Sequence, residues 1–282
     1  MSTALLKATL VTIANLLERG DFPGAEMRAQ DALKTLPPHA QIWRLLATAQ
    51  LKGGKIGAAR TSLQQANRLD PLSVEVLCDL AAVETRDGNV QSAQALLERA
   101  LELAPDHVGA LSSLGRLRHR LGNFAGALQC FERCVRADAA RAESWIDLAN
   151  TNIAMQQWQA AESNVRHGLS LAPNSSNGWY VLGYLHERQG RLEDAVQPYR
   201  KSMELDPRPG AAHNLALVLE QVGDLQGGAR LMEYAVRLAP NLYEGLSHLV
   251  YTKRDLVAAY GEEITDVQAE VLAAGLTAQL TG

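Results

Sequence analysis

Cys130 and Cys134, four residues apart, are the pair in this chain best spaced to share a ligand. On a helix, residues i and i+4 project from one face, so two thiolates there could grip one soft metal ion. A structural zinc site needs four such ligands, and no third or fourth lies nearby in sequence. Two glycine pairs, Gly53-Gly54 and Gly227-Gly228, are the next candidates, as the start of a phosphate-cradling loop. Neither leads into the Lys-Ser/Thr pair that completes one. The seven histidines are scattered, and no His-Glu-x-x-His segment or glycine-flanked nucleophile elbow is present. The chain is therefore read as non-catalytic, with no cofactor and no metal.

Proline and glycine reveal the elements that must position everything else. Pro37, Pro71 and Pro105 stand 34 residues apart; the next steps reach Ala139, Pro173 and Pro207, and Pro240 follows after 33. Gly20, Gly54, Gly88 and Gly122 keep the same step, as do Gln156, Gly190 and, after a one-residue deletion, Gly223. A period of this length marks a helix–turn–helix array. In the unit from Ala40, Trp43, Leu46, Ala47 and Gln50 recur at helical spacing; Gly54 ends that helix by taking a left-handed conformation. Ala59, Leu63 and Ala66 then line a second helix, which Asp70-Pro71 stops because proline lacks the next donor.

The same slots recur as Leu111, Leu114, Gly115, Gly122, Ala127 and Phe131, then as Trp145, Leu148, Ala149, Ala161 and Val165. They return as Trp179, Leu182, Gly183, Gly190, Ala195 and Tyr199. This pattern resembles the tetratricopeptide repeat (TPR) family over residues 6–242. The resemblance implies an all-α, right-handed α-solenoid of about seven TPR helix–turn–helix repeats. The units run over 6–39, 40–73, 74–107, 108–141, 142–175, 176–208 and 209–242, within an array spanning 1–242. Residues 243–282 are read as a C-terminal capping helix pair.

Several positions depart from the pattern. Thr9 and Thr12 stand where a bulky pair belongs, suiting a wetter terminal repeat. Ala139 and Gln156 are expected to loosen their turns, and Pro198 to kink a second helix. Gly168 and Gly228 replace packing alanines, at about 1 kcal/mol of helix propensity each. Cys134 falls in a buried small-residue slot and His186 in the core tyrosine slot. Trp43, Trp145 and Trp179 take the first core position, whereas His39 and His107, following helix ends, are expected in solvent.

In the family, the first helices of each repeat line a concave face through their second, fifth, ninth, twelfth and thirteenth positions. Helical geometry agrees, since these positions avoid the core stripe. The resulting candidate groove comprises Arg44, Lys52, Arg86, Arg116, His119, Arg120, Asn150, Tyr180, Tyr184, Arg188, His213 and Leu217, with Ser112, Ile146 and Ile153 in equivalent slots. Its N-terminal half is basic although the chain carries a net charge of -4. Arginine forks bind carboxylates, and tyrosines supply rigid contact area. The expected partner is therefore a protein or peptide segment with acidic residues, held by a scaffold or adaptor. The alternative is a recruiting or regulatory subunit for a partner enzyme, such as a glycosyltransferase. Neither the family's carboxylate clamp nor its asparagine ladder carries over; in the ladder slot only Asn214 matches. The charge balance argues against nucleic acid as a partner, no segment is apolar enough to span a membrane, and three cysteines point to a reducing, cytoplasmic setting. A monomer or weak homo-oligomer is expected.

Overall fold

Closing a helical hairpin requires one residue that leaves the right-handed helical region at the tip, and the sequence supplies it at nearly every period. The structure, a computed structural model, describes residues 2–238. The elements in that range are fourteen α-helices, divided between two compact units that part between Ala139 and Ala140. The first unit holds α1 (Ser2–Glu18), α2 (Phe22–Thr35), α3 (Ala40–Lys52), α4 (Ile56–Leu69), α5 (Val74–Arg86), α6 (Val90–Leu103), α7 (Val108–Arg120) and α8 (Phe124–Ala137). The second holds α9 (Ala142–Ala154), α10 (Trp158–Leu171), α11 (Ser176–Arg188), α12 (Leu192–Leu205), α13 (Pro209–Gln221) and α14 (Leu225–Leu238). The anticipated capping pair over 243–282 and the end of the seventh repeat lie outside the described residues.

Within each hairpin the tip glycine sits at positive φ, for example +76° at Gly122 and +73° at Gly190. Gln156, expected to loosen its turn, takes the same left-handed conformation at φ 58°. Its hairpin closes as the others do: Gln157 N donates to Asn152 O at 2.8 Å, matching Asn123 N to Arg118 O at 2.9 Å. Ala139 likewise leaves its turn intact, since Asp138 N donates to Cys134 O at 2.9 Å as Asp70 N does to Ala66 O. Both positions thus keep the turn hydrogen bonds of the repeats that carry glycine or proline there.

Before six of the helices, a side chain accepts from one of the first free N–H groups. Asp21, Ser73, Asn123 and Ser175 do so, and so do the two histidines expected in solvent: His39 Nδ1 accepts from Gln41 N, and His107 Nδ1 from Ala110 N. Packing inside the hairpins relies on close approach. A Cβ added to Gly115 would lie 2.8 Å from the Phe131 ring, and one added to Gly183 would lie 2.8 Å from the Tyr199 ring. Both rings are fully buried, and each contributes on the order of 2 kcal/mol. Gly168 and Gly178 make room for Ile146, whose atoms lie 2.8 and 3.1 Å from the positions their Cβ atoms would take. That packing offsets the helix-propensity cost assigned to Gly168. Thr9 is buried, while Thr12 is exposed and its hydroxyl donates back to Ala8 O at 2.8 Å. Pro198 is buried inside α12, which continues on both sides of it.

Ion pairs join successive repeats. Lys55 meets Glu26 at 2.8 Å, Arg118 meets Glu98 at 3.3 Å, and Arg191 meets Glu162 at 3.5 Å. Arg60 meets Glu84 at 3.2 Å and also contacts Asp87. With side chains a quarter or more exposed at one partner or both, such pairs are worth about 0–1 kcal/mol each.

Candidate functional site

The first helices α3, α5 and α7 carry the candidate cations of the first unit. Arg44 is engaged: its Nε lies 2.6 Å from Asp79 Oδ2 on the next repeat, both side chains being 35% exposed. Glu75 lies beside the same pair. Its carboxyl is held below the usual carboxylate range by its own backbone N–H, by the Ser73 hydroxyl at 3.1 Å and by the Arg44 charge. Burial, followed by the charges of Asp79 and Glu75, pushes the Cys78 thiol up to about 11. Arg44 therefore faces two carboxylates of its own chain. Sequence slots alone missed this partner, although Asp79 follows Arg44 by 35 residues, one repeat plus one, which is the signal that could have found it.

Lys52, Arg86 and Arg120 behave differently. Each is exposed, each stands in the last turn of its helix, and consecutive members are one 34-residue repeat apart. Cations there complement the carbonyl end of the helix, and none of the three forms an ion pair among the described residues. Arg116 is exposed on α7. His119, half-buried, meets the Phe124 ring edge-on at 5.1 Å. Ser112 is buried.

In the second unit α9, α11 and α13 present a different surface. Ile146 and Ile153, assigned by slot to the groove, are buried among the helices, leaving Asn150 half-buried on α9. On α11, Tyr180, Tyr184 and Arg188 follow one another at a spacing of four. The two tyrosine rings are parallel within 7° with centroids 6.4 Å apart, and the Arg188 guanidinium carbon stands 6.0 Å from the centre of the Tyr184 ring. Tyr199 enters from α12, its ring 5.6 Å from that of Tyr180. Its hydroxyl donates to Glu187 Oε2. Asn214 on α13 donates to the Tyr180 hydroxyl at 2.9 Å and to the Tyr199 hydroxyl at 3.4 Å. His213 and Leu217 lie half-buried on the same helix.

The electrostatics follow from that network. Burial raises the Tyr180 hydroxyl above its ordinary range, and the Glu187 charge adds to the effect. Tyr199 is raised further, by burial and then by its bond to Glu187. Burial lowers His213, against the opposing charges of Glu187 and Glu220. The contribution of Tyr199 was invisible to slot reading, because it belongs to a second helix whose ring was assigned to the core.

Among the described residues no three His, Cys, Asp or Glu side chains are grouped to hold a metal ion. Cys134 is fully buried, and Cys130 lies 3.5 Å from Arg118 Nη1. No described helix is long and apolar enough to cross a membrane.

Comparison with known proteins agrees with this architecture. Family models described as tetratricopeptide repeat match residues 16–80, 72–140 and 146–212. Protein NPGR2 of Arabidopsis thaliana is 34% identical over 86 residues, 30% of this chain and 12% of that protein. The probable biofilm formation methyltransferase WspC of Pseudomonas putida is 38% identical over 91 residues, 32% of this chain and 20% of that protein. The matches thus span a fifth or less of these curated relatives. A tetratricopeptide repeat protein from Parabacteroides merdae superposes with a TM-score of 0.70 at 16% identity, covering 95% of this chain and 98% of that one. The APC/C hetero-tetramer Cut9–Hcn1 gives 0.68 at 17% identity, covering 95% and 48%. These structural likenesses extend to the fold alone.

Proposed function

The chain belongs to the tetratricopeptide repeat family, and from that premise we propose that it is a non-catalytic scaffold holding an extended, acidic segment of a partner protein. The observation that carries this reading is the ladder of Lys52, Arg86 and Arg120, exposed and unpaired at the ends of three successive first helices of one unit. Packed helices lie about 8–10 Å apart, and an extended chain advances about 3.3–3.6 Å per residue. A segment crossing these helices therefore meets one cation at about every third residue. The partner best suited has carboxylates at that interval, each taken by a fork or ammonium group. Arg44, bound to Asp79, contributes to holding α3 and α5 in register and is not counted in the ladder.

The test uses fluorescence anisotropy with capped peptides carrying three aspartates spaced every second, third or fourth residue. The third-residue peptide should bind tightest, and the R86E/R120E variant should weaken it at least tenfold. Indifference to spacing together with an unaffected R86E/R120E variant would sink the reading. The likeness to part of a protein named as a methyltransferase favours a second reading, in which the scaffold serves a protein-modifying enzyme. Stoichiometric co-purification with one such enzyme, rather than with several unrelated proteins, would select it.

A further inference from the structure

The second unit's face has the opposite chemistry from the ladder. Glu187 is half-buried, accepts one hydrogen bond through Oε2 from Tyr199, and forms no ion pair among the described residues. A carboxylate has about four acceptor positions, so most of its capacity is unspent. Its neighbour Arg188 does not neutralise it, because that guanidinium lies over the far ring, Tyr184. The negative charge is felt across the face: it opposes ionisation of Tyr180 and of Tyr199 and favours protonation of His213. An acidic ligand would be repelled here.

We propose that this face is a receptor for a cationic side chain, arginine or lysine, of a partner segment, with Glu187 as counter-ion and Tyr180 and Tyr184 as aromatic walls. Aromatic faces attract cations within about 6 Å of the ring centre, and Arg188 already exploits Tyr184 in this way at 6.0 Å. The site is held ready in advance. Asn214 fixes the Tyr180 and Tyr199 hydroxyls by donating to both, and Tyr199 fixes Glu187. A cation entering therefore orders few groups that were free, which lowers the entropy cost of binding. The inference rests on reading the chain as a scaffold for protein segments, but on residues wholly separate from the ladder of the first unit.

The experiment measures binding of a capped ten-residue Gly-Ser peptide carrying one arginine, against the same peptide with citrulline, by calorimetry on the full chain. Glu187→Gln is nearly isosteric and retains an acceptor for the Tyr199 hydroxyl; its melting curve checks the fold. Glu193→Gln changes the net charge equally at an exposed position on α12. The expected result is binding of the arginine peptide only, weakened about tenfold by Glu187→Gln, weakened further by Tyr184→Leu added to it, and unchanged by Glu193→Gln. Equal effects of the two glutamine variants would overturn the proposal by reducing it to net charge. So would equal affinity for the citrulline peptide, or no binding by the unaltered chain at millimolar peptide. R86E/R120E should leave this peptide's affinity unchanged, so failure here and failure of the ladder are separately visible.

Discussion

Replacing Gln156 with glycine should stabilise the second unit, and the size of the gain follows from the backbone. Gln156 sits at φ 58°, where the other hairpin tips carry glycine at 73–90°. Its side chain is exposed and makes no hydrogen bond among the described residues, so the substitution removes no contact. A residue with a Cβ loses about 1–2 kcal/mol in the left-handed region. Glycine gives back about 0.5–1 kcal/mol through the greater freedom of its unfolded chain. The net gain is about 0.5–1 kcal/mol. Gly122→Ala is the mirror experiment: nothing lies within 4 Å of the added Cβ, so its cost is conformational alone, about 1 kcal/mol. Urea unfolding followed by tryptophan fluorescence reads both. Three of the four tryptophans, Trp145, Trp158 and Trp179, fall in the second unit. With a slope of about 2 kcal/mol per molar, Gln156→Gly should raise the midpoint by about 0.3 M. A midpoint that stays or falls, alongside a harmless Gly122→Ala, would refute the claim that the left-handed tip limits stability there.

Gly183→Ala should cost about 1–3 kcal/mol, because its Cβ would sit 2.8 Å from a fully buried Tyr199 ring that has nowhere to turn; urea midpoints beside an exposed-glycine control check it. His186 is pushed below its ordinary value of 6.5, by burial first and the Arg191 charge second, against Glu162 and Asp194. The folded form therefore favours the neutral ring, the unfolded chain binds more protons, and stability contributed at pH 7 is lost as pH falls through 6.5 toward the lower folded value. His186→Phe should flatten that loss between pH 7 and 5 in pH-dependent urea titrations, leaving a smaller slope from His213, which burial shifts the same way. Asp79→Asn frees Arg44 of an ion pair worth about 0–1 kcal/mol; affinity for the aspartate peptides should rise about twofold at low salt and converge with the parent at high salt.

The hairpins were legible because their signal is local. Pro71 and Gly54 act on their own backbone, so the period could be read without knowing what packs on what. Gln156 shows where that reading fell short: the turn is closed by the hydrogen bonds of its neighbours, and the side chain is carried into the conformation they require. The candidate faces were legible as helix positions but not as environments. Ile146 leaves the groove because Gly168 and Gly178, on two other helices, open space for it. Arg44 and Asp79 occupy different slots, fifth and sixth, and meet only because adjacent first helices lie side by side. Tyr199 reaches the candidate surface from a core slot through its hydroxyl, an outcome set by the depth at which Gly183 lets its ring settle.

The packing described above also bears on how the chain is made. Within each unit, substantial contacts join each helix to the next, or to the next but one, so few there depend on distant sequence. Chains with such low contact order fold in microseconds to milliseconds, whereas synthesis at about 5–20 residues per second takes a few seconds per repeat. Each hairpin can thus close before its successor has left the ribosome, and within a unit the newest one finds a finished surface waiting. While a unit is being made, a single hairpin's apolar stripe remains uncovered at any instant, which keeps the aggregation risk of that unit constant instead of growing with its length.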